Sequence, residues 1–182
     1  MRHTRIWAKE MGLAGAVVER VELEGETNTL VVSVRVGWQD QDRCGICRRR
    51  APGFDLGRGR RRWRSLDLGT TVTELEADSP RVSCLEHGVV VTWVPWARHG
   101  SRFTRAFEDQ AAWLTAHAAQ STVATLLRVT WRSMARIVTG WWRQPKRAGI
   151  RSPTWSGSES MRSATARGRS TSPWSSTTTQ DA

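Results

Sequence analysis

Read for the spacing of apolar and polar positions alone, the chain changes texture several times. Near the N-terminus "TRIWAKEMGL" carries apolar residues at helical spacing and predicts a short helix. "AVVERVEL" and "TLVVSVRV" are β-branched runs separated by "EGETN", the pattern of a hairpin. Shorter strand-like runs follow in "RRRWRSLDL", "TTVTELEA", "RVSC" and "GVVVTWVPW". From Phe103 the period switches to helical, through "FTRAFEDQAAWLTAHA", "STVATLLRV" and "WRSMARIV". Beyond about residue 140 no apolar period survives: "SESMRSATARGRSTSPWSSTTTQDA" is nearly all Ser, Thr and Arg, a composition that predicts disorder. No internal repeat is visible. The expectation is an α+β chain with a helix and hairpin segment over 1–38, a β-rich module over 39–98, a three-helix module over 103–139 and a disordered tail over 140–182.

The helical module carries a more specific pattern. Val123, Ala124 and Leu127 fall on one face of a first helix, and Met134, Ile137 and Val138 on one face of a second. Between them lies only "RVT", in which Val129 would plug the corner and Thr130 would cap the second helix with its hydroxyl. Small Ala124 lets two helices cross closely, and "AFEDQAAWLTAHA" is the supporting helix, packing through Trp113 and Leu114. This is the spacing of a helix-turn-helix. Arg132, Ser133 and Arg136 would then face outward near the start of the recognition helix, where side chains reach base edges in the major groove. Arg128 occupies the turn position usually given to Gly, so either the corner differs or Arg128 bears a strained backbone. A plain three-helix bundle with a solvated arginine face satisfies the same periodicity.

The β-rich module holds the cysteines. Cys44 and Cys47 stand in "CGIC", whose Gly lets the backbone turn both sulfurs toward one point, and Cys84 is followed three positions on by His87 in "CLEHG". Two ligand pairs joined by hairpins suit the tetrahedral shell of a structural zinc ribbon, with all four places filled by protein and none left for a catalytic water. A redox CxxC with two unrelated residues, or buried thiols, are the other readings. A redox pair prefers a helix N-terminus after a strand, whereas "RCGICRRR" is a basic loop.

Charge narrows the class of partner. A net charge of +11 points to nucleic acid or an anionic surface, although residues 140–182 contribute seven of the 28 Lys/Arg and two of the 17 Asp/Glu. Within the ordered part, "RGRRRWRSLDL" sets Arg58, Arg60, Arg61, Arg62 and Arg64 around Trp63. Strand alternation puts part of this set, Arg60, Arg62 and Arg64, on one face suited to DNA phosphates, or equally on a charged edge that resists aggregation. No apolar stretch approaches a membrane span, and the N-terminus lacks the apolar core of a signal peptide. A cytoplasmic chain, associated with the nucleoid and not with a membrane, is expected.

Taken together, "CGIC…CLEHG", "RRRWRSLDLGTT", "VPWARHGSRFTRAFEDQAAWLTAH" and "WRSMARIV" resemble the front half of the ISL-three insertion-sequence transposases of bacteria, over roughly residues 5–139. The resemblance implies a zinc-binding region and a helix-turn-helix that recognise the double-stranded terminal repeats of the transposon. It also implies a following RNase-H-like domain whose acidic triad holds two divalent metals. By position, Cys44, Cys47, Cys84 and His87 match the zinc ligands, and residues from Thr130 and Trp131 through Arg132, Ser133 and Arg136 match the DNA-reading helix. Where the catalytic domain should begin, the tail is readable as that domain in a shifted frame. "SESMRSATARG" admits codons whose shifted reading is GIDEISYRKG, "GWWRQPKRAGIRSPTWSG" admits VVAAAQARGDPLADLVRI, and "TSPWSSTTTQD" admits LTVVVDHDTG. Those strings resemble the family's linker and the opening strands of its catalytic domain. The expectation is therefore a truncated, frameshifted fragment, not an enzyme and with no catalytic residues of its own, that binds zinc and DNA and self-associates with full-length transposase. On this reading Trp141, Trp142, Trp155 and Trp174 are accidental, exposed indoles. Two further outcomes stay open: a minor or regulatory product of an active transposase made by frameshifting, or a non-functional fragment.

Overall fold

In the computed structural model, residues 2–142 are described. The expected disordered, out-of-frame tail lies outside the described residues, apart from the end of the last helix.

A short helix, α1 (Arg2–Glu10), leads into a hairpin of β1 (Ala16–Glu24) and β2 (Thr29–Val36). A 3-10 turn, Trp38–Asp40, opens the cysteine segment. It is followed by β3 (Gly53–Asp55), β4 (Arg60–Arg64), β5 (Val72–Asp78), β6 (Arg81–Cys84) and β7 (Gly88–Val91). The chain then turns helical in α2 (Arg105–Thr115), α3 (Gln120–Leu126) and α4 (Trp131–Trp142). No helix among the described residues is long and apolar enough to cross a membrane.

The strands sort into two sheets. One has the order β1-β2-β5-β4 and the other β3-β6-β7. The strands of the 39–98 segment are thus shared: β4 and β5 complete the sheet begun by the N-terminal hairpin, while β3, β6 and β7 form the sheet beside the cysteines. In the first sheet β2 and β5 run parallel, Val32 opposite Leu75, with antiparallel neighbours outside them. β2 is central and buried almost continuously from Thr29 to Val34, as expected of a strand covered on both faces. β5 alternates strictly, with Thr73, Leu75 and Ala77 inward.

Each layer closes its own core. Val18, Val32, Val34, Trp63, Leu75, Val94 and Trp96 fill the first, with Trp7, Ala8 and Met11 of the N-terminal segment packed against it. Trp63 and Trp96 meet edge to face, 5.6 Å between centroids and 81° between planes, the arrangement that ring quadrupoles favour. Phe107, Ala111, Val123, Ala124, Leu127, Met134 and Ile137 form the second core, inside the three helices. The third is small: Cys44, Val82 and Cys84, with Cys47, Ala51 and Val90 at its margin. So little apolar surface cannot hold a sheet by itself, which is where a bound metal contributes most.

Candidate metal centre and nucleic-acid interface

The loop between β2 and β3 turns back on itself at the cysteines. Cys44 N–H donates to Arg49 C=O at 2.8 Å, Arg48 N–H to Cys44 C=O at 2.9 Å, and Ile46 N–H to the Cys44 sulfur at 3.5 Å. Asp42 and Arg48 take left-handed backbone, φ 56 and 64, on either side of the pair. The turn after β6 supplies the other half. Cys84 ends that strand and His87 precedes β7, so that Cys47 Sγ lies 3.7 Å from Cys84 Sγ, and His87 Nδ1 lies 3.8 Å from Cys44 Sγ and 3.6 Å from Cys84 Sγ.

These spacings test the zinc reading directly. A tetrahedral shell with Zn–S of about 2.3 Å and Zn–N of about 2.0–2.1 Å has edges of about 3.8 Å between sulfurs and about 3.6 Å between sulfur and nitrogen. The observed edges match, and all four ligand atoms lie within 4.8 Å of one another. All three cysteines are free. The thiols are unequal. Burial pushes the Cys44 thiol up, yet the backbone N–H groups of Cys47 and Ile46 and the other two sulfurs bring it below its ordinary value. Cys84 is held low by His87, then by the Glu86 N–H. Cys47 is favoured as thiolate by the Arg49 N–H, but burial and its two sulfur neighbours raise it overall. Three sulfurs this close become thiolates together only with a cation between them, and the Cys₃His set fits zinc as a structural cofactor.

Gly45 matters for a reason other than turning. Its φ is not positive; instead a Cβ there would press into the Val91 carbonyl and come 2.5 Å from His99 Nδ1. The glycine is where the knuckle passes against the strand end and the following loop.

The helical module has helix-turn-helix form. Thr104 caps α2, its hydroxyl accepting from Phe107 N–H at 3.3 Å. Leu127 ends α3, Arg128 N–H donates to Thr125 C=O at 3.1 Å and Val129 N–H to Ala124 C=O at 3.0 Å, with Val129 packed against the helical core. Those two bonds form a Schellman motif with Arg128 at its left-handed position, φ 54. The strained alternative is thus the one adopted. The Arg128 guanidinium pairs with the Asp67 carboxylate and donates to Thr70 C=O at 2.9 Å, tying the turn to the segment between β4 and β5.

Thr130 caps α4 as expected, accepting from Ser133 N–H at 3.2 Å, while the Ser133 hydroxyl lies 3.0 Å from the same oxygen. Trp131, Arg132 and Arg136 are exposed on the outer face, and among the described residues neither arginine has an ion-pair partner. Trp113, expected in the helical core, is 55% exposed and meets the His117 ring at a tilt; Phe107 and Ala111 pack there instead. Helix α4 also continues past residue 139. Trp141 is half-buried and donates its indole N–H to Asp109 at 3.0 Å, so it is not the loose indole expected of a tail residue. Asp109 and the buried Glu108 both pair with Arg98, joining the loop before α2 to the helices.

The strand arginines behave differently from a phosphate comb. Arg60, Arg62 and Arg64 share one face of β4, where Asp78, Glu76 and Glu74 of β5 stand directly opposite. Arg62 pairs with Glu24 at 2.8 Å and Glu76 at 3.2 Å, Arg60 with Glu76 at 3.3 Å, and Arg64, 11% exposed, with Asp67. Carboxylates of this chain are thus the partners of arginines for which the sequence left open phosphate contact or a charged sheet edge, and β4 is an edge strand. The period-2 acids of "TELEAD" were the sign of it.

Comparison with known proteins agrees with both sites. Residues 40–87 match the zinc-finger of transposase IS204/IS1001/IS1096/IS1165, a segment that ends on His87, and residues 94–142 match the helix-turn-helix domain of transposase family ISL3. The transposases for insertion sequence element IS1557 of two Mycobacterium tuberculosis strains, CDC 1551 / Oshkosh and ATCC 25618 / H37Rv, are each 40% identical over 147 residues. That alignment covers 78% of this chain and 33% of each relative, so the chain spans about a third of the length of the curated relatives it matches. No solved structure matches the chain. Residues 40–142 are accordingly the zinc-finger and helix-turn-helix domains of an ISL3-type transposase N-terminal part.

Proposed function

We propose that this chain recognises the double-stranded terminal repeats of its parent insertion element through α4, and does so without cutting them. The observation that carries the reading is the pair of exposed arginines, Arg132 and Arg136, without an ion-pair partner among the described residues and one turn apart on the outer face of a helix whose start is fixed by the Thr130 cap. Arginine at such positions reads guanine edges bidentately. Trp131 flanks them, and Ser133, engaged with the Thr130 hydroxyl, holds the first turn. Arg60, Arg62 and Arg64 would meet phosphates only by exchanging their carboxylate partners, so their part is to hold the sheet in shape.

The shifted-frame reading of the tail supports a product without the acidic triad. It equally favours a second reading, in which slippage joins this segment to the catalytic frame and the present chain is the minor or regulatory product, able to associate with the full-length enzyme. The masses of products from the native locus separate the two: a species of 20.5 kDa alone supports the binding-only chain, and a longer one the slippage reading.

Binding is tested by fluorescence anisotropy with zinc-loaded chain, terminal-repeat duplex and random duplex at moderate salt. Arg132→Ala and Arg136→Ala are each expected to cost about 1–3 kcal/mol of discrimination while leaving random-duplex binding nearly unchanged. Equal affinity of the unmodified chain for both duplexes would sink the proposal.

A further inference from the structure

With the expected phosphate-binding face of β4 occupied by carboxylates, the opposite face holds the uncompensated charge. Arg61 points there with Trp63, its guanidinium 5.1 Å from the Trp63 ring centroid. Trp63 and Trp93 both line a cavity of about 130 Å³ between the zinc knuckle and the loop before α2, together with Gly45, Arg98 and His99. Arg48, immediately after Cys47, lies 5.6 Å over the Trp93 ring. Arg102 follows Ser101, whose carbonyl accepts a hydrogen bond from Arg61.

Each of Arg48, Arg61 and Arg102 lacks a carboxylate within ion-pair distance among the described residues, whereas every strand arginine other than Arg61 has one. Arg61 sits below the ordinary arginine value, from burial first and from Arg102 second: a positive charge set among positive charges. The Trp93 indole N–H is buried and has no acceptor among the described residues. Glu108 and Asp109 beside the recess are taken up by Arg98, so Arg48, Arg61 and Arg102 with the indole donor are the groups left to meet an anion with several acceptor oxygens. A water needs about 10–15 Å³ of such space, so the recess has room for a phosphate group.

We infer that the recess flanked by Arg48, Arg61 and Arg102 beside the zinc knuckle is the phosphodiester-binding site of this chain, gripping a backbone phosphate of the duplex that α4 reads. The inference rests on the DNA-binding function proposed above and supplies the non-specific affinity which that reading, without the β4 arginines, otherwise lacks.

The test is the salt dependence of duplex binding by the zinc-loaded full chain. The logarithm of the association constant falls against the logarithm of salt concentration with a slope of about −0.9 per phosphate neutralised. Arg61→Gln is expected to flatten the slope by about one such unit and to weaken terminal-repeat and random duplex alike, with Arg61→Lys restoring it. Arg102→Gln and Arg48→Gln change exposed side chains, so they carry the test even where Arg61→Gln fails to fold. The Arg60→Gln control is expected to leave the slope unchanged. An unmodified chain that binds no duplex would end the proposed function itself. Should it bind while Arg48→Gln and Arg102→Gln keep the unmodified slope, or Arg60→Gln flatten it equally, the recess assignment alone is wrong.

Discussion

Arg128 shows how one residue can violate a local preference and be held there by a distant partner. Left-handed backbone costs a side-chain-bearing residue about 1–2 kcal/mol, which is why Gly is usual at that point of a helix C-terminus. The Asp67 pair and the Thr70 carbonyl offset that cost here. Arg128→Ala keeps the strain and loses the pair, whereas Arg128→Gly loses both. The Gly variant should therefore be more stable than the Ala variant by about 1 kcal/mol in urea unfolding. Identical stabilities would show that the turn is not strained. Gly45 is the second such position, and its constraint is contact, not conformation. Gly45→Ala must displace the Val91 carbonyl or His99, misplacing Cys44 and Cys47. Zinc affinity should fall at least about tenfold in a competition titration with a chromogenic chelator, as for other disturbances just outside a ligand shell; unchanged affinity would mean the knuckle yields freely.

At the scale of elements, one carboxylate connects two of them. Asp67, between β4 and β5, is ion-paired with Arg64 on the strand and accepts from Arg128 at the turn between α3 and α4. Burial raises its carboxyl, but Arg64 and Arg128 outweigh this and hold it below the usual range. A carboxylate depressed in the folded state contributes stability that is fully present above its unfolded value of about 3.9 and is lost as pH falls through the folded one. Asp67→Asn should thus lower stability at neutral pH and flatten its decline below pH of about 4, as followed by thermal melts across pH. If wild type and variant lose stability in parallel on acidification, Asp67 is not the linking group.

For the molecule as a whole, three separate cores make stability uneven. The first sheet and the helices close apolar cores of ordinary kind, while β3, β6 and β7 depend on Cys44, Val82, Cys84 and the metal. Removing zinc with a chelator should broaden or shift the backbone amide resonances of residues 43–55 and 81–92 while those of the helical core around Phe107 and Met134 persist. Retention of every resonance after chelation would exclude a structural role for the metal.

Much of this was legible in the chain itself. Period-2 and period-3.6 patterns placed the N-terminal hairpin, most later strands and all three helices of the second core, because side-chain direction in each element is fixed by backbone geometry. The Cys₃His set was legible because ligand spacing of this kind has few other uses. The Thr130 cap was legible because it is local. What tertiary structure alone decided is which distant segments meet. The parallel pairing of β2 with β5 merges two expected segments into one sheet, and nothing in either strand names its neighbour. The antiparallel pairing of β4 with β5 in turn determines which side of "RRRWR" faces acids. The sequence counts charges; only the register of β4 on β5 sets Arg60, Arg62 and Arg64 beside carboxylates and half-buried Arg61 opposite Ala77, because a carboxylate offsets a charge only within a few ångströms.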